Sequence, residues 1–235
     1  MDKRERQRQK KEEKQRAAEQ REQTLALMRK VGLYGVAPVL LLFILYTLFS
    51  QGPTYSPVEI AENDHIRGNP ATPVSVVVYA DFQCPACATE HQTLMQLWPQ
   101  INDEAHIVFR HFPITTTHPH AWTAALYAEA ASRQDRFWSM HDYLFANQPI
   151  WSGLTTVEEE FDSYALELNL DLDQLQADMA SEEVINKVRN DQRGGNAAGV
   201  RSTPAVYVNG RFLGAPTRLR LLEAIEEEAM SSASG

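Results

Sequence analysis

The feature that most constrains this chain is a pair of cysteines three residues apart, Cys84-Pro85-Ala86-Cys87, placed where a strand-like run meets a helix-like one. Before it, Val74-Ser75-Val76-Val77-Val78-Tyr79 is apolar and β-branched, as a buried strand is. After it, apolar positions at Ala88, Leu94, Met95, Leu97 and Trp98 predict a helix, with Pro99 as its stop. His106 to Phe112 reads as a second strand, closed by Pro113. Strand, helix and strand at this spacing make a βαβ unit with parallel strands. Cys84 then falls at a helix N-terminus, where unpaired N–H groups and the helix dipole stabilise a thiolate. Such positions lower a thiol pKa from ~8.5 to ~3.5–7.5. Pro85 suits the first helical turn, where no N–H is needed. Cys87 lies one turn further on, close enough to attack a mixed disulfide on Cys84.

These are the only cysteines in 235 residues. Two are too few for a disulfide-dense scaffold or a four-cysteine metal site. A structural disulfide here would close too short a loop to stabilise much, and metal binding lacks a second ligand pair. One exposed thiolate with one resolving thiol is the minimum for disulfide exchange, so the pair reads as redox-active and catalytic.

The rest of the chain completes the sheet around a helical block. From about 119 to 198 the pattern is helical: Ala121 to Ser132, Arg136 to Ala146, a segment opened by the Thr156-Val157-Glu158-Glu159 capping pattern, and helices capped by Asp171 and Ser181. Phe137 and Trp138 read as helix core. Pro204 to Val208 is a strand, Asn209-Gly210 a two-residue hairpin turn, and Arg211 to Leu213 the return strand. Thr217 to Met230 predicts a last helix with Leu219, Leu222 and Ile225 on one face, and 231–235 a frayed tail. Thr203-Pro204, at a strand start, is either a cis bond or an ordinary strand-opening proline. Asp81 is a candidate for proton transfer and equally for capping the turn before Cys84. His118, His120 and His111 invite a metal reading, but no ligand set accompanies them and surface or packing roles are expected.

Taken together, these residues resemble the DsbA-type thiol:disulfide oxidoreductases of the thioredoxin superfamily. The matching segments are Tyr79 to Cys87, Arg110-His111-Phe112-Pro113, Phe137 to Asp142, Gly199 to Pro204 and Val206 to Gly210, over roughly residues 65–230. The resemblance implies an α/β thioredoxin-like fold with an inserted helical domain. It implies Cys84 as nucleophile, Cys87 as resolving thiol, and a cis Thr203-Pro204 bond whose backbone binds an extended substrate. It implies no cofactor. Two positions depart from the pattern. Val78 stands where many relatives carry a buried carboxylate that assists proton transfer at the second cysteine. Ala86 stands where some carry a histidine that stabilises the thiolate, so a less oxidising pair is expected.

Charge divides the chain. Residues 1–30 hold eleven Lys and Arg against six acids, a net of +5. The remaining residues hold eleven against 25, a net of −14, within a total of −9. Between them Val31 to Ser50 carries no charge and is long enough, at ~30 Å as a helix, to cross a bilayer. The expected organisation is a basic cytoplasmic tail over 1–30, a transmembrane anchor over 31–50, a linker over 51–68 and a catalytic domain over 69–230. The excess of Lys and Arg before the span keeps that side in the cytoplasm and exports the acidic body to the periplasm. A cleavable signal is the alternative, disfavoured by the long head and long apolar run. The acidic body argues against nucleic acid as a partner. Expected partners are thiol-bearing exported proteins and a membrane redox protein, a quinone-linked oxidase or an electron donor. The alternatives to an oxidant are a reductase or isomerase of the same fold, or a non-catalytic assembly factor.

Overall fold

The computed structural model describes residues 21, 25, 28, 38–43, 56, 57 and 59–233. The chain forms two compact units, 1–52 and 53–235. In the first, residues 38–43 are helical, and Val39 to Phe43 are exposed. No helix among the described residues is long and apolar enough to cross a membrane. The expected tail and anchor lie mostly outside the described residues.

The second unit is built on one five-stranded sheet. Its elements are β1 (His65–Arg67), β2 (Val74–Ala80), α1 (Pro85–Ile101), β3 (Ala105–His111), α2 (Ala121–Ser132), α3 (Phe137–Ala146), α4 (Gln148–Trp151), α5 (Glu158–Glu167), α6 (Leu172–Met179), α7 (Glu182–Ala197), β4 (Ala205–Val208), β5 (Arg211–Gly214) and α8 (Arg218–Ala233). The strand order is β1-β3-β2-β4-β5. β2 and β3 pair in parallel from Val74 opposite Ala105 to Ala80 opposite His111. β4 runs antiparallel to β2, and β1 antiparallel to β3. The Asn209-Gly210 turn has both residues at positive φ, 45° and 79°, the geometry of a tight hairpin.

β2 and β3 are buried along almost their whole length because both faces of the sheet are covered. One face carries the main core: Val76, Val78, Ile107 and Phe109 pack with Leu94 and Leu97 of α1 and with Ala128, Met140 and Leu144 of the helical block. The other face carries a smaller cluster of Val77, Tyr79, Val108, Phe112, Val200 and Tyr207. There α7 approaches closely enough that a Cβ on Gly195 would stand 2.7 Å from the Phe112 ring.

Several expectations change at this level. The end of the expected linker is structural: β1 joins the sheet, and Asp64 forms an ion pair at 2.7 Å with the buried Arg110. Arg110 also donates to the Tyr79 hydroxyl and the Ser56 carbonyl, so a charge that would be costly alone is fully partnered. Pro99 does not stop α1, which runs two residues further: the burial of Ile101 outweighs the one bond in the last turn that the missing Pro99 N–H removes. α5 is capped by Val157 rather than Thr156, with the Glu158 carboxylate accepting the Val157 N–H. Residues 231–233 of the expected frayed tail continue α8. Its buried residues are Leu221, Ala224 and Ile225, while Leu219 is exposed, since the sheet meets the face one step round the helix.

Candidate active site

Cys84 is the N-cap of α1, with extended backbone, and Pro85 occupies the first turn. The Cys87 and Ala88 amides donate to the Cys84 carbonyl at 3.0 and 3.2 Å, closing that turn. Both cysteines are reduced, with no disulfide between them, and both are buried, Cys84 at the margin with 8% of its surface exposed. The Thr203-Pro204 peptide is cis, and the Cys84 Sγ donates to the Thr203 carbonyl at 3.5 Å. Residues 119 positions apart in sequence thus share one site.

The two sulfurs differ sharply in acidity. Cys84 is lowered to about 5, first by a hydrogen bond from the Cys87 thiol, against the opposing effect of burial. Thr203 and the amides of Cys87 and Ala86 add further donors. The Thr203 hydroxyl has no other partner, so it is available to the sulfur. Cys87 is pushed far up, first by burial and then by its neighbour Cys84. One thiolate and one retained proton at neutral pH is the arrangement disulfide exchange requires.

Asp81 takes the turn-forming role. It is buried, and its carboxylate accepts the Gln83 and Ile114 amides, both at 2.7 Å, and faces His118 Nδ1 at 2.8 Å. Only its backbone N–H reaches Cys87 Sγ, at 3.5 Å. The carboxylate fastens the loop before Cys84 to the segment after β3. His118, His120 and His111 take separate packing partners rather than forming one group: His118 Nδ1 meets Asp81, His120 Nε2 meets the Leu154 carbonyl, and His111 Nε2 meets Glu129, which also holds His65 Nε2 at 2.6 Å. That His65–Glu129–His111 set links β1, β3 and α2. Its three ligand atoms lie within 4.8 Å of one another.

The sequence reading missed Gln148. Its side-chain NH₂ donates to the Phe82 carbonyl at 2.6 Å and the Cys84 carbonyl at 3.0 Å, so α4 fixes the active-site loop from the helical block. Gln83 ties the same loop to Ser152 and to the His120 amide. A buried glutamine facing two carbonyls leaves no signal in local sequence, because its partners are about 65 residues away.

A family model described as Thioredoxin matches residues 61–227. The chain belongs to the thioredoxin family. Its fold, a thioredoxin sheet with an inserted helical block, is that of the DsbA type. A thioredoxin-like oxidoreductase from Silicibacter pomeroyi is 26% identical, with a TM-score of 0.62, covering 71% of this chain and 92% of that one. α-DsbA1 of Wolbachia pipientis superposes with a TM-score of 0.66 at 19% identity, over 74% of this chain and 95% of that one. BdbD of Bacillus subtilis superposes at 0.65 and 20% identity, over 76% and 100%. Among curated proteins, the Na(+)/H(+) antiporter NhaA 3 of Salinispora tropica is 36% identical over 172 residues, 73% of this chain and 26% of that protein. The chain thus spans about a quarter of the length of such relatives.

Proposed function

We propose that this chain is a membrane-anchored thiol:disulfide oxidoreductase that oxidises thiols of exported proteins on the outer face of the cytoplasmic membrane. The observation that carries the exchange chemistry is the split acidity of the pair, Cys84 near 5 and Cys87 well above its ordinary value. A substrate thiolate attacks Cys84 Sγ of the disulfide form. The Cys84–Cys87 bond breaks, its electron pair passes to Cys87, which takes up a proton, and a mixed disulfide forms at Cys84. A second substrate thiolate then attacks the substrate sulfur, and Cys84 leaves as the stabilised thiolate. The Thr203 backbone beside Cys84 supports the reading that an extended substrate segment docks there. Pro85 opens the helix that aims the Cys84 sulfur.

The direction rests on the same sulfur. A thiolate stabilised in the dithiol form favours reduction of the enzyme and hence oxidation of the substrate. Ala86 adds no side-chain charge, so the expected potential lies between the ~−270 mV of thioredoxin and the ~−120 mV of DsbA. The anchor is supported by the uncharged run Val31 to Ser50 and the Lys/Arg bias before it. A membrane quinone-linked oxidase is the partner that would restore the disulfide.

Trapping the cysteines in intact cells by rapid acid quench and alkylation tests the direction. The Cys84–Cys87 pair is expected mostly as disulfide; a pair found mostly as dithiol would instead make the protein a reductase or isomerase.

A further inference from the structure

Cys87 cannot act without moving a proton. Burial holds the thiol form, so the sulfur must gain a proton when the Cys84–Cys87 bond opens and lose it when the bond closes. Val78 lines the space behind Cys87, where it supplies no proton acceptor, and the Asp81 carboxylate is committed to the loop.

Behind Cys87 lies a cavity of about 20 Å³, room for about one water molecule. Val78, Ala80, Ile107 and Phe109 make its apolar wall. Its polar groups besides Cys87 are two imidazoles, His91 and His141. His91 stands one turn beyond Cys87 on α1, and His141 enters from α3. Their rings meet edge to face, with centroids 5.0 Å apart. His141 Nδ1 lies 2.9 Å from Asp142 Oδ1, and His91 Nε2 lies 3.7 Å from the same oxygen. Arg67 of β1 grips both Asp142 oxygens at 2.8 Å. The Asp142 side chain is 43% exposed, so the cluster begins at a buried sulfur and ends in solvent.

We propose that His91, His141 and Asp142 form the proton path that serves Cys87, taking the place of the carboxylate that Val78 replaces. This rests on the disulfide-exchange reading above. When a substrate thiolate opens the disulfide, the electron pair arrives on Cys87 Sγ. A water in the cavity gives that sulfur a proton and takes one from an imidazole nitrogen; the imidazole recovers a proton at its other nitrogen from solvent water, relayed over the exposed Asp142 carboxylate. Closure runs the same transfers backwards, so no net charge is left in the core. Burial lowers both histidines, His141 to about 3, and keeps them in the neutral form that has one donor and one acceptor nitrogen. The charged groups facing them are Asp142 from α3 and Arg67 from β1, which balance each other.

The test is the rate at which a model dithiol opens the Cys84–Cys87 disulfide, followed by stopped flow across pH in water and in deuterium oxide. Replacing both histidines, His91→Gln with His141→Gln, is expected to slow opening about tenfold or more, while the alkylation midpoint of Cys84 in the dithiol form stays near 5. Adding Val78→Glu to that double variant puts a carboxyl into the same cavity from β2 and is expected to recover most of the rate, which a packing role for the histidines would not allow. A folded double variant that opens at the wild-type rate with the wild-type pH profile overturns the path. Should the variants fail to fold, the unaltered protein decides: a solvent isotope effect of about 2 or more on opening supports the path, and none overturns it. A wild-type disulfide inert to dithiol would overturn the exchange reading itself.

Discussion

Cys84 and Cys87 stand one helical turn apart, yet their surroundings have little in common. Cys84 sits where α1 begins, among donors: the Cys87 thiol, the Thr203 hydroxyl and the first amides of the helix. Cys87 sits where α1 meets the sheet, against Val78, Ala80 and Phe109. The same functional group is therefore an anion at one position and a neutral thiol at the other. Local backbone places the first and tertiary burial makes the second, so the asymmetry of the pair comes from the boundary between a helix end and a core.

The largest effect comes from removing either sulfur. Cys84→Ser is expected to abolish exchange with a dithiol substrate, while Cys87→Ser keeps a Cys84 thiolate and accumulates a mixed disulfide that non-reducing gels or mass spectrometry detect. Equal loss without trapping in both variants would mean the roles are not divided as described.

Glu90 tests how strongly the buried side of α1 rejects charge. It lies one turn past Cys87, is 5% exposed, and its Oε1 has no partner. Burial raises its carboxyl to about 7. Between its ordinary pKa of 4.5 and about 7 the folded state holds more protons than the unfolded one, so stability falls as pH rises through that window and stays lowered above it. Glu90→Gln should flatten this slope and stabilise the protein at pH 8 by roughly 3 kcal/mol, from the energy of one pKa unit, as read by denaturant unfolding. An unchanged midpoint at pH 8 would show that water reaches this side of the helix.

Ala86→His adds a positive neighbour at the Cys84 end alone. The alkylation midpoint of Cys84 should fall by about one unit and the reduction potential rise by about 30 mV, the equivalent of that shift. Glutathione equilibration measures it, and Cys87 reactivity should not change.

The smallest effect concerns Thr203. In the reduced protein a Cys84 pKa of about 5 against 9 unfolded means the unfolded state binds more protons between those values. Stability of the dithiol form should therefore rise with pH from about 5 to about 9, and that of the disulfide form should show no such rise. Thr203→Val removes one of several donors and should move the lower edge of that window up by less than about one unit, measured by thiolate absorbance.

Much of the fold is legible locally. β2, α1 and β3 follow from a β-branched run, a Pro-led helix start and a second apolar run, and Asp171 and Ser181 cap α6 and α7 through their own side chains. β1 is not legible, because three residues carry no period and its place depends on pairing with β3 and on the Asp64–Arg110 contact. The end of α1 is misread for a related reason. Pro99 is a local stop signal, and burial of Ile101 outweighs it. Within the site, Cys84, Pro85 and Cys87 announce themselves by spacing. Gln148, His91 and His141 do not, since each meets groups brought to it by packing.

By itself the sequence determined that Cys84 would stand at a helix N-terminus with Cys87 one turn on, because a helix start after a strand is set by residues adjacent in the chain. It also determined the charge division around Val31 to Ser50. Only the tertiary structure decided the rest: that Thr203 lies against that sulfur, that the Asp81 carboxylate is spent on the loop, and that Cys87 faces two histidines rather than an acid. These depend on dielectric and distance between segments far apart in sequence, which no local pattern of residue types specifies.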